Sequence, residues 1–261
     1  NSKGHLFSVI DASNIFQGLH INENTAFKKI LSPYVGDPHW RDVRQYGTFD
    51  PGASAATNET TFSAALAACI TDGYNLQVPV GVHACDPIVW TGAGSTHIPG
   101  ITVFGAGHGN EITESKSVLD FSAFSNTGAQ IGVLMDSSSL TGGALLTGMA
   151  FENLLLKGPA NVANNTTKGL LFKGDTDSRG ATPSKSSGVL QRIEGVTGEG
   201  FNRGLSFEGT NNWQSVIRNS AFESCFIGAY IKWTTQMLFE NVSVVGSTNG
   251  FVVSGSLAIT W

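Results

Sequence analysis

Two glutamates, Glu199 and Glu223, combine a side-chain type and a spacing that suit acid–base chemistry on a sugar polymer. Each lies five residues before a glycine, Gly204 or Gly228, that opens an apolar run. If these runs stack as neighbouring strands, the two carboxyl groups lie ~5 Å apart, as in glycosidases that form a covalent intermediate. So close a pair raises the pKa of one member, which gives a proton donor beside an anion. The alternative is that each is an ordinary solvated surface charge.

Further carboxyl groups lie in the polar segment 173–188, KGDTDSRGATPSKSSG. Asp175 and Asp177 are additional catalytic candidates there, although a loop sequence fixes no distance between side chains. A second interruption spans residues 157–169. Loops that leave neighbouring turns of a repeat can wall a binding groove, and the alternative is that both are surface loops without a role.

Three aromatic residues, Trp213, Tyr230 and Trp233, are candidates for binding sugar rings. We expect Tyr230 at an outward-facing position of a strand and the two tryptophans directly after strands. A large aromatic face can bind a substrate, and it can equally pack against a neighbouring subunit. The sequence leaves both interpretations open.

An internal repeat determines where these residues lie. Gly169, Gly204, Gly228 and Gly250, spaced by 35, 24 and 22 residues, each open a run of alternating apolar and polar residues. Such alternation is typical of β-strands, and a recurring period predicts stacked turns of chain. One column of the repeat is apolar and contains Phe151, Ile193, Ile217 and Phe239. A second column contains residues that suit a tight corner, namely Asn153, Gly195, Asn219 and Asn241.

These columns predict a parallel β-helix with two short strands per ~22 residues, each turn lying ~4.8 Å from the next. Asn and Gly suit the corner because they tolerate left-handed backbone. The alternative is an antiparallel β-sandwich whose matches are coincidental, but a sandwich does not keep columns at a fixed sequence period.

Charged positions of the repeat alternate in sign along the expected stack. One such column contains Glu194, Arg218 and Glu240, and another contains Lys173, Glu208 and Lys232. Alternation avoids like-charge repulsion between neighbouring strands. We therefore interpret Glu194 and Glu240 as parts of a structural ladder in which Arg218 keeps both ionised.

The composition favours a β-rich chain and argues against several function classes. Only 13% of the 261 residues are charged, 32 are glycine, and the net charge of −5 comes without any Lys/Arg run. A nucleic-acid interface is therefore not expected, nor is membrane insertion, since no apolar run reaches ~18 residues. No cofactor or metal is expected, because dinucleotide and P-loop motifs are missing and the histidines are scattered. Cys69, Cys85 and Cys225 are predicted to be buried thiols.

A helix is predicted before the repeat. Asn58 can cap its start, and Phe62, Leu66, Cys69 and Ile70 follow the i, i+4, i+7, i+8 pattern of one buried helix face. Gly73 is expected to end it.

Four motifs around this helix resemble the start of the pectate-lyase-like superfamily, in the branch of bacteriophage tailspikes and related polysaccharide depolymerases. They are VRQYG at 43–47, DPGASAATNETTFSAALAA from 50, VPVGVH at 78–83 and GITVFGAG at 100–107. In the second motif, Pro51 replaces the usual acidic-glycine run. The resemblance covers about Trp40 to the end of the chain, and it is more specific for fold than for chemistry.

The resemblance implies an all-β fold, a right-handed single-stranded parallel β-helix (pectate-lyase-like) with a short N-terminal capping helix. Residues 40–261 would form this domain, truncated at the C-terminus, and residues 1–39 a neck or linker. The visible start, residues 1–20, lacks the basic stretch of a signal peptide.

The implied function is that of a phage tailspike or tail-fibre segment that binds and depolymerises a bacterial surface polysaccharide, capsule or lipopolysaccharide, as a glycoside hydrolase or polysaccharide lyase. The implied assembly is a homotrimer, joined to phage tail or baseplate proteins through its N-terminal side. The implied location is the virion, with an extracellular site of action. Two alternatives are a non-catalytic β-helical shaft of a phage tail and a secreted pectinase or glucanase.

Overall fold

The structure is a computed structural model that describes residues 39–107, 116–125, 128–141, 143–160, 166–174, 187–209, 212–232, 234–254 and 257–260. The chain divides into two compact units, Asn1–His39 and Trp40–Trp261. The first unit lies outside the described residues apart from His39, so its role as a neck or linker stays a prediction. The second unit is described below.

Parallel β-strands and one α-helix make up the described part of this unit. A 3-10 helix (Val43–Tyr46) and the helix α1 (Ala55–Asp72) lie between the first two strands. The strands are β1 (Trp40–Asp42), β2 (Asn75–Gln77), β3 (Gly81–Ala84), β4 (Ile88–Thr91), β5 (Ile98–Pro99), β6 (Thr102–Phe104), β7 (Ser117–Asp120), β8 (Ile131–Asp136), β9 (Leu145–Thr147), β10 (Ala150–Glu152), β11 (Leu155–Lys157), β12 (Lys168–Lys173), β13 (Ser187–Val189), β14 (Arg192–Glu194), β15 (Thr197–Glu199), β16 (Arg203–Glu208), β17 (Asn212–Trp213), β18 (Val216–Glu223), β19 (Ile227–Lys232), β20 (Thr234–Val245), β21 (Asn249–Ser254) and β22 (Leu257–Thr260).

Across the described residues, the strands form a 16-stranded and a 6-stranded sheet. The smaller sheet has the order β4-β8-β12-β16-β19-β21. The larger sheet consists of three ladders that share the long strands β18 and β20. The first ladder is β1-β2-β6-β10-β14-β18-β20, the second is β3-β7-β11-β15 with the later parts of β18 and β20, and the third is β5-β9-β13-β17 with the start of β20 and β22.

The mostly β architecture with parallel sheets agrees with the sequence prediction, but the number of strands per period does not. Two strands per period were expected, whereas the stretch from β13 to β16 contains four. The additional strands in that stretch, β13 and β15, have three residues each, and so short a run shows no clear alternation of apolar and polar positions.

The predicted apolar column is confirmed in the first ladder. Phe151 pairs with Ile193, Ile193 with Ile217, and Ile217 with Phe239. All four side chains are buried. In-register pairing brings like residues of successive periods together, which removes the apolar face of every strand from water.

The core contains side chains from all three ladders and from the 6-stranded sheet. The ring of Phe151 packs edge-on against Phe172, with centroids 5.9 Å apart. Within the smaller sheet, Phe172 and its register partner Phe207 are stacked at 5.0 Å with an interplanar angle of 9°. Aromatic rings of neighbouring strands therefore continue the stack of the backbone into the core.

The predicted corner column adopts left-handed backbone. The φ angles are 53° at Asn153, 62° at Gly195, 48° at Asn219 and 52° at Asn241. The Asn241 Nδ2 group also donates a hydrogen bond to Asn219 Oδ1 at 2.8 Å. Asn and Gly accept this conformation at low cost, so this prediction is confirmed.

The glycine column of the 6-stranded sheet is required by close packing. A Cβ atom on Gly169 would lie 2.5 Å from the carbonyl oxygen of Gly204, and one on Gly204 would lie 2.9 Å from that of Gly228. The phenyl ring of Phe222 is also 2.9 Å from the Gly204 position. These glycines allow the strands to turn against buried aromatic rings.

The helix α1 begins earlier than predicted. Ser54 is its N-cap, and the Ser54 Oγ atom accepts a hydrogen bond from the Thr57 N–H. Asn58 lies inside the helix and is fully buried. Its side chain accepts from the Asp50 N–H and donates to the carbonyls of Asp50 and Ala84, so the prediction of Asn58 as cap was wrong. The buried Asn58 amide instead forms hydrogen bonds with backbone groups of the loop before the helix.

The remaining predictions for the helix are confirmed. Gly73 ends α1 in the left-handed conformation, with φ 76°. Phe62, Leu66, Cys69 and Ile70 are buried, and α1 packs against β2, β3 and β4. Cys69, Cys85 and Cys225 are free, buried thiols. No helix among the described residues is long and apolar enough to cross a membrane.

Candidate functional site

A column of four charged residues runs along the second ladder, at the last position of each strand. Asp120 pairs with Lys157, Lys157 with Glu199, and Glu199 with Glu223. The preceding column, which includes Leu119, Leu156 and Phe222, belongs to the core. Side chains alternate along a strand, so the four charged residues face away from that core.

Backbone hydrogen bonds fix the register at this column. The Phe121 N–H donates to the Lys157 carbonyl at 2.7 Å, the Gly158 N–H donates to the Glu199 carbonyl at 2.7 Å, and the Gly200 N–H donates to the Glu223 carbonyl at 3.1 Å. Gly200 has φ 74° and turns the chain directly after Glu199. Gly198 precedes it, and a Cβ atom there would lie 3.1 Å from the Phe222 ring. Glycines on both sides thus allow the turn and the packing that hold Glu199 in place.

The two glutamates differ in their surroundings. Burial raises the pKa of Glu199, the negative charge of Glu223 raises it further, and Lys157 opposes both effects. The Oε2 atom of Glu199 is buried and has no hydrogen-bond partner. On the other side, Glu223 pairs with Val245, whose side chain is exposed. Glu199 is therefore the member of the pair that holds a proton more readily than an ordinary glutamate.

This result agrees with the sequence prediction that the two carboxyls become neighbours and that one pKa rises. The catalytic role of the pair stays a prediction. The partners Lys157 and Asp120 were not predicted, because the glycine column from which the repeat was aligned starts only at Gly169. The Lys157 Nζ atom lies 3.9 Å from Asp120 Oδ2.

A buried thiol, Cys225, lies beside the pair. Burial raises the pKa of Cys225 to about 11. Its Sγ atom donates to the carbonyls of Glu223 at 3.3 Å and Gly198 at 3.7 Å. A thiol that stays protonated at neutral pH serves packing rather than covalent chemistry.

An exposed aromatic side chain, missed by the sequence analysis, follows the acid pair. Phe226 is 41% exposed and lies three residues after Glu223, in the corner between β18 and β19. Its N–H donates to the Phe201 carbonyl at 3.1 Å, and its carbonyl accepts from the Asn249 N–H at 2.9 Å. A corner residue belongs to no strand, so the alternation of apolar and polar residues in the sequence does not predict whether it is exposed. Phe226 is recognised from the folded structure, by its exposed ring on a hydrogen-bonded backbone.

Of the predicted aromatic residues, Tyr230 is partly exposed and has one face covered. The Arg203 guanidinium carbon lies 3.8 Å from the centre of its ring. Arg203 in turn donates to Glu208 at 2.7 Å, which also binds Lys168 at 2.8 Å. Tyr230 therefore belongs to a charged cluster on the 6-stranded sheet, and its contact with sugar stays a prediction.

Of the remaining predicted site residues, the structure describes only the backbone position of Trp213. Trp213 lies within β17, where it pairs with Thr235, so the expectation that it follows a strand was wrong. Strands as short as β17 leave no signal in the sequence. Trp233, Asp175 and Asp177 lie outside the described residues, as do residues 161–165 and 175–186 of the two interrupting loops.

The charged column of the first ladder is a structural ladder. Glu194 pairs in register with Arg218, and Arg218 with Glu240. The Arg218 Nε atom lies 2.7 Å from Glu240 Oε2, while Glu194 lies 3.8 Å from Arg192. The expected column of Lys173 and Glu208 also forms, but Lys173 binds Asp136 at 2.8 Å rather than Glu208. Within the described residues, no group of three or more His, Cys, Asp or Glu side chains could hold a metal ion.

Comparison with known proteins gives no family. No family model matches the sequence, and no curated protein does. Among solved structures, the Agl-KA catalytic domain is similar over 83% of this chain at 12% identity, with a TM-score of 0.40. A protein of Parabacteroides merdae that carries a glycosyl hydrolase assignment is similar over 83% of this chain at 11% identity, with a TM-score of 0.37 and 96% of its own length covered.

A third solved structure is the catalytic unit of a GH87 alpha-1,3-glucanase from Streptomyces thermodiastaticus. It is similar over 83% of this chain at 16% identity, with a TM-score of 0.35. The chain spans 57% of the length of the Agl-KA domain and 42% of the length of this glucanase unit.

Proposed function

We propose that this chain cleaves a polysaccharide with Glu199 as proton donor and Glu223 as the attacking carboxylate. Register pairing of the two residues on neighbouring parallel strands supports this function. Neighbouring strands lie ~4.8 Å apart, which suits the short carboxyl separation of glycosidases that retain configuration. Burial and the neighbouring charge raise the pKa of Glu199, as a proton donor at neutral pH requires.

In the first step, Glu199 gives its proton to the glycosidic oxygen while a Glu223 oxygen bonds to the anomeric carbon. The bond from that carbon to the leaving sugar breaks, and the leaving sugar departs with the proton. In the second step, Glu199 takes a proton from water, the water oxygen bonds to the same carbon, and the ester to Glu223 breaks. Glu199 regains its proton, Glu223 regains its negative charge, and one glycosidic bond has been hydrolysed.

The form of the fold that best accommodates the ladders is a right-handed single-stranded parallel β-helix, with α1 covering its first turn. In-register pairing of each strand with its counterpart one period later supports this proposal. In such a coil, residues of one column lie along the outside of the stack. A long polymer could then lie along the column that contains Glu199 and Glu223.

The biological setting that we propose is a bacteriophage tailspike or tail fibre acting on capsule or lipopolysaccharide. It is supported by the motifs at 43–47, 78–83 and 100–107 and by their order around the helix. A homotrimer attached through its N-terminal side, present in the virion and acting outside the host cell, completes this proposal.

Phe226 is proposed to bind a sugar ring next to the bond that is cleaved. Its exposed ring lies on a backbone held by hydrogen bonds on both sides, so little conformational freedom is lost on binding. The variant Phe226→Ala is expected to weaken polysaccharide binding. Unchanged binding would place the sugar elsewhere.

The test is incubation of the purified protein with capsular polysaccharides and lipopolysaccharides from a panel of bacteria. Polymer length is followed by size-exclusion chromatography and cleavage by the appearance of reducing ends. We expect at least one polysaccharide to be shortened with the appearance of new reducing ends. If the chain cleaved by elimination instead of hydrolysis, the product would absorb ultraviolet light through its unsaturated end. Binding without shortening of any polymer would contradict cleavage and leave a receptor-binding role.

A further inference from the structure

Lys157 lies between two carboxyl groups on the outer face of the second ladder. Asp120 is its register partner on β7, and Glu199 is its register partner on β15. The Lys157 Nζ atom is 3.9 Å from Asp120 Oδ2. On the other side, the Oε2 atom of Glu199 is buried without a hydrogen-bond partner. The Lys157 ammonium group thus forms an ion pair with Asp120, one of the two acids that flank it in the same column.

A lysine can change partner without any movement of the backbone. Its ammonium group sits on a flexible four-carbon chain, and both acids lie one strand away at ~4.8 Å. An opposite charge within ~4–6 Å stabilises the ionised form of a carboxyl group. Lys157 already lowers the pKa of Glu199 in part, and its ion pair with Asp120 keeps it from stabilising the ionised form of Glu199 more strongly.

We propose that Asp120 and Lys157 are positioning residues that set the proton occupancy of Glu199, an inference that rests on the proposed function of the acid pair. In the resting state, Asp120 holds Lys157, and Glu199 keeps its proton. Once Glu199 has protonated the leaving sugar, Lys157 turns towards the new carboxylate and stabilises it until water is deprotonated. Lys157 itself transfers no proton.

The other charged groups near Glu199 leave this role to Lys157. Glu223 on β18 and the Cys225 thiol in the adjacent corner supply no positive charge. The strands β12 and β16 also pack against β15. Their charges pair among themselves or with β8: Lys168 and Arg203 bind Glu208, and Lys173 binds Asp136. Among the described residues, Lys157 is the cation in register with Glu199.

A titration of the Glu199 carboxyl group, followed by carbon-detected NMR, tests this proposal without any substrate. Asp120→Asn frees Lys157 and is expected to move the titration of Glu199 to lower pH, whereas Lys157→Met is expected to move it to higher pH. Lys157→Arg keeps the charge and should behave like the wild type. If Lys157→Met does not fold, Lys157→Gln takes its place.

The double variant Asp120→Asn/Lys157→Met separates this role from a direct effect of the Asp120 charge on Glu199. If Asp120 acts through Lys157, its substitution has no further effect once Lys157 is removed. An equal shift with and without Lys157, or no shift in either single variant, would overturn the proposal.

The proposed function is tested separately, by the pH dependence of polysaccharide cleavage. We expect Asp120→Asn to move the alkaline limit of activity to lower pH, because Glu199 loses its proton sooner. Titration shifts as expected in a chain that cleaves no polysaccharide would refute the proposed function and support the control of Glu199 by Lys157. Cleavage of a polysaccharide together with an unchanged Glu199 titration in the variants would support the proposed function and refute the control of Glu199 by Lys157.

Discussion

Glu199 and Glu223 are direct register partners on neighbouring parallel strands, with a buried oxygen on Glu199 that has no hydrogen-bond partner. Two carboxyl groups so placed cannot both ionise freely. Their environments differ, since Glu199 has Lys157 as its other neighbour and Glu223 has the exposed Val245. Because of this asymmetry, and because the pKa of Glu199 is raised, Glu199 is the proposed proton donor of the pair.

Removal of either carboxyl group is expected to abolish most of the proposed activity. Glu199→Gln should lower the rate of polysaccharide cleavage by ~10²–10⁴-fold, the usual contribution of an acid–base group. Glu223→Gln should lower it at least as far, because it removes the attacking carboxylate. Glu194→Gln, in the structural ladder of β14, is the matched control and should retain activity. Similar rates for Glu199→Gln and Glu194→Gln would exclude Glu199 from the reaction.

Alanine should be tolerated at Gly250, the last glycine of the column, but not at Gly204 inside the column. Gly204→Ala places a Cβ atom 2.9 Å from the Gly228 carbonyl oxygen and from the Phe222 ring, so it should lower the free energy of unfolding by ~1–3 kcal/mol. Gly250→Ala meets no atom within 4 Å and should be close to neutral. Urea unfolding of both variants measures the difference, and equal stabilities would contradict the close packing.

Asn58 should contribute more to stability than the helix cap. Ser54→Ala removes one capping hydrogen bond and should cost ~1 kcal/mol. Asn58→Ala leaves the Asp50 N–H and the Ala84 carbonyl without their buried partner, and each such group costs ~1–3 kcal/mol. Thermal or urea unfolding ranks the two variants. A larger loss in Ser54→Ala than in Asn58→Ala would contradict the greater weight given to the buried Asn58 amide.

Protonation of His83 should lower the free energy of unfolding as the pH falls below neutrality. Burial lowers the pKa of His83, although backbone hydrogen bonds oppose the effect, and its ring is stacked on Phe49 at 4.3 Å. A lowered pKa in the folded state means that the unfolded chain binds the proton more readily. The contribution is therefore complete above the unfolded value of ~6.5 and is lost as the pH falls through the lower folded value.

The measurement is the urea midpoint at a series of pH values from ~7.5 down to ~5, the range in which histidine titrates. His83→Phe keeps a ring against Phe49 but cannot be protonated, so its midpoint should depend less on pH than that of the wild type. His39→Phe, at an exposed residue, should keep the wild-type dependence. Parallel curves for all three proteins would rule out His83 as the source.

The sequence predicted those parts of the fold that repeat with a regular period. The columns of Phe151 and Asn153 follow from residue type alone, because an inward position must be apolar and a left-handed corner must accept Asn or Gly. The proximity of Glu199 and Glu223 follows from the same alignment. It could be predicted because both lie five residues before a glycine of the column.

Other parts carry no such signal. The strands of the third ladder, such as β5 (Ile98–Pro99), are too short to alternate. Lys157 and Asp120 lie in periods of unequal length, so only the observed register shows that they continue the acid column. Phe226 lies in a corner, where exposure is set by the fold and not by sequence period.

The most direct test of the account is the titration of the Glu199 carboxyl group in the wild type and in Glu223→Gln, by carbon-detected NMR. The account predicts that Glu199 titrates above the ordinary glutamate value of ~4.3. In Glu223→Gln it should shift to lower pH, because a neutral neighbour no longer opposes its ionisation, while burial maintains part of the elevation. An ordinary value in the wild type, or the same value in both proteins, would contradict the coupling on which the proposed chemistry depends.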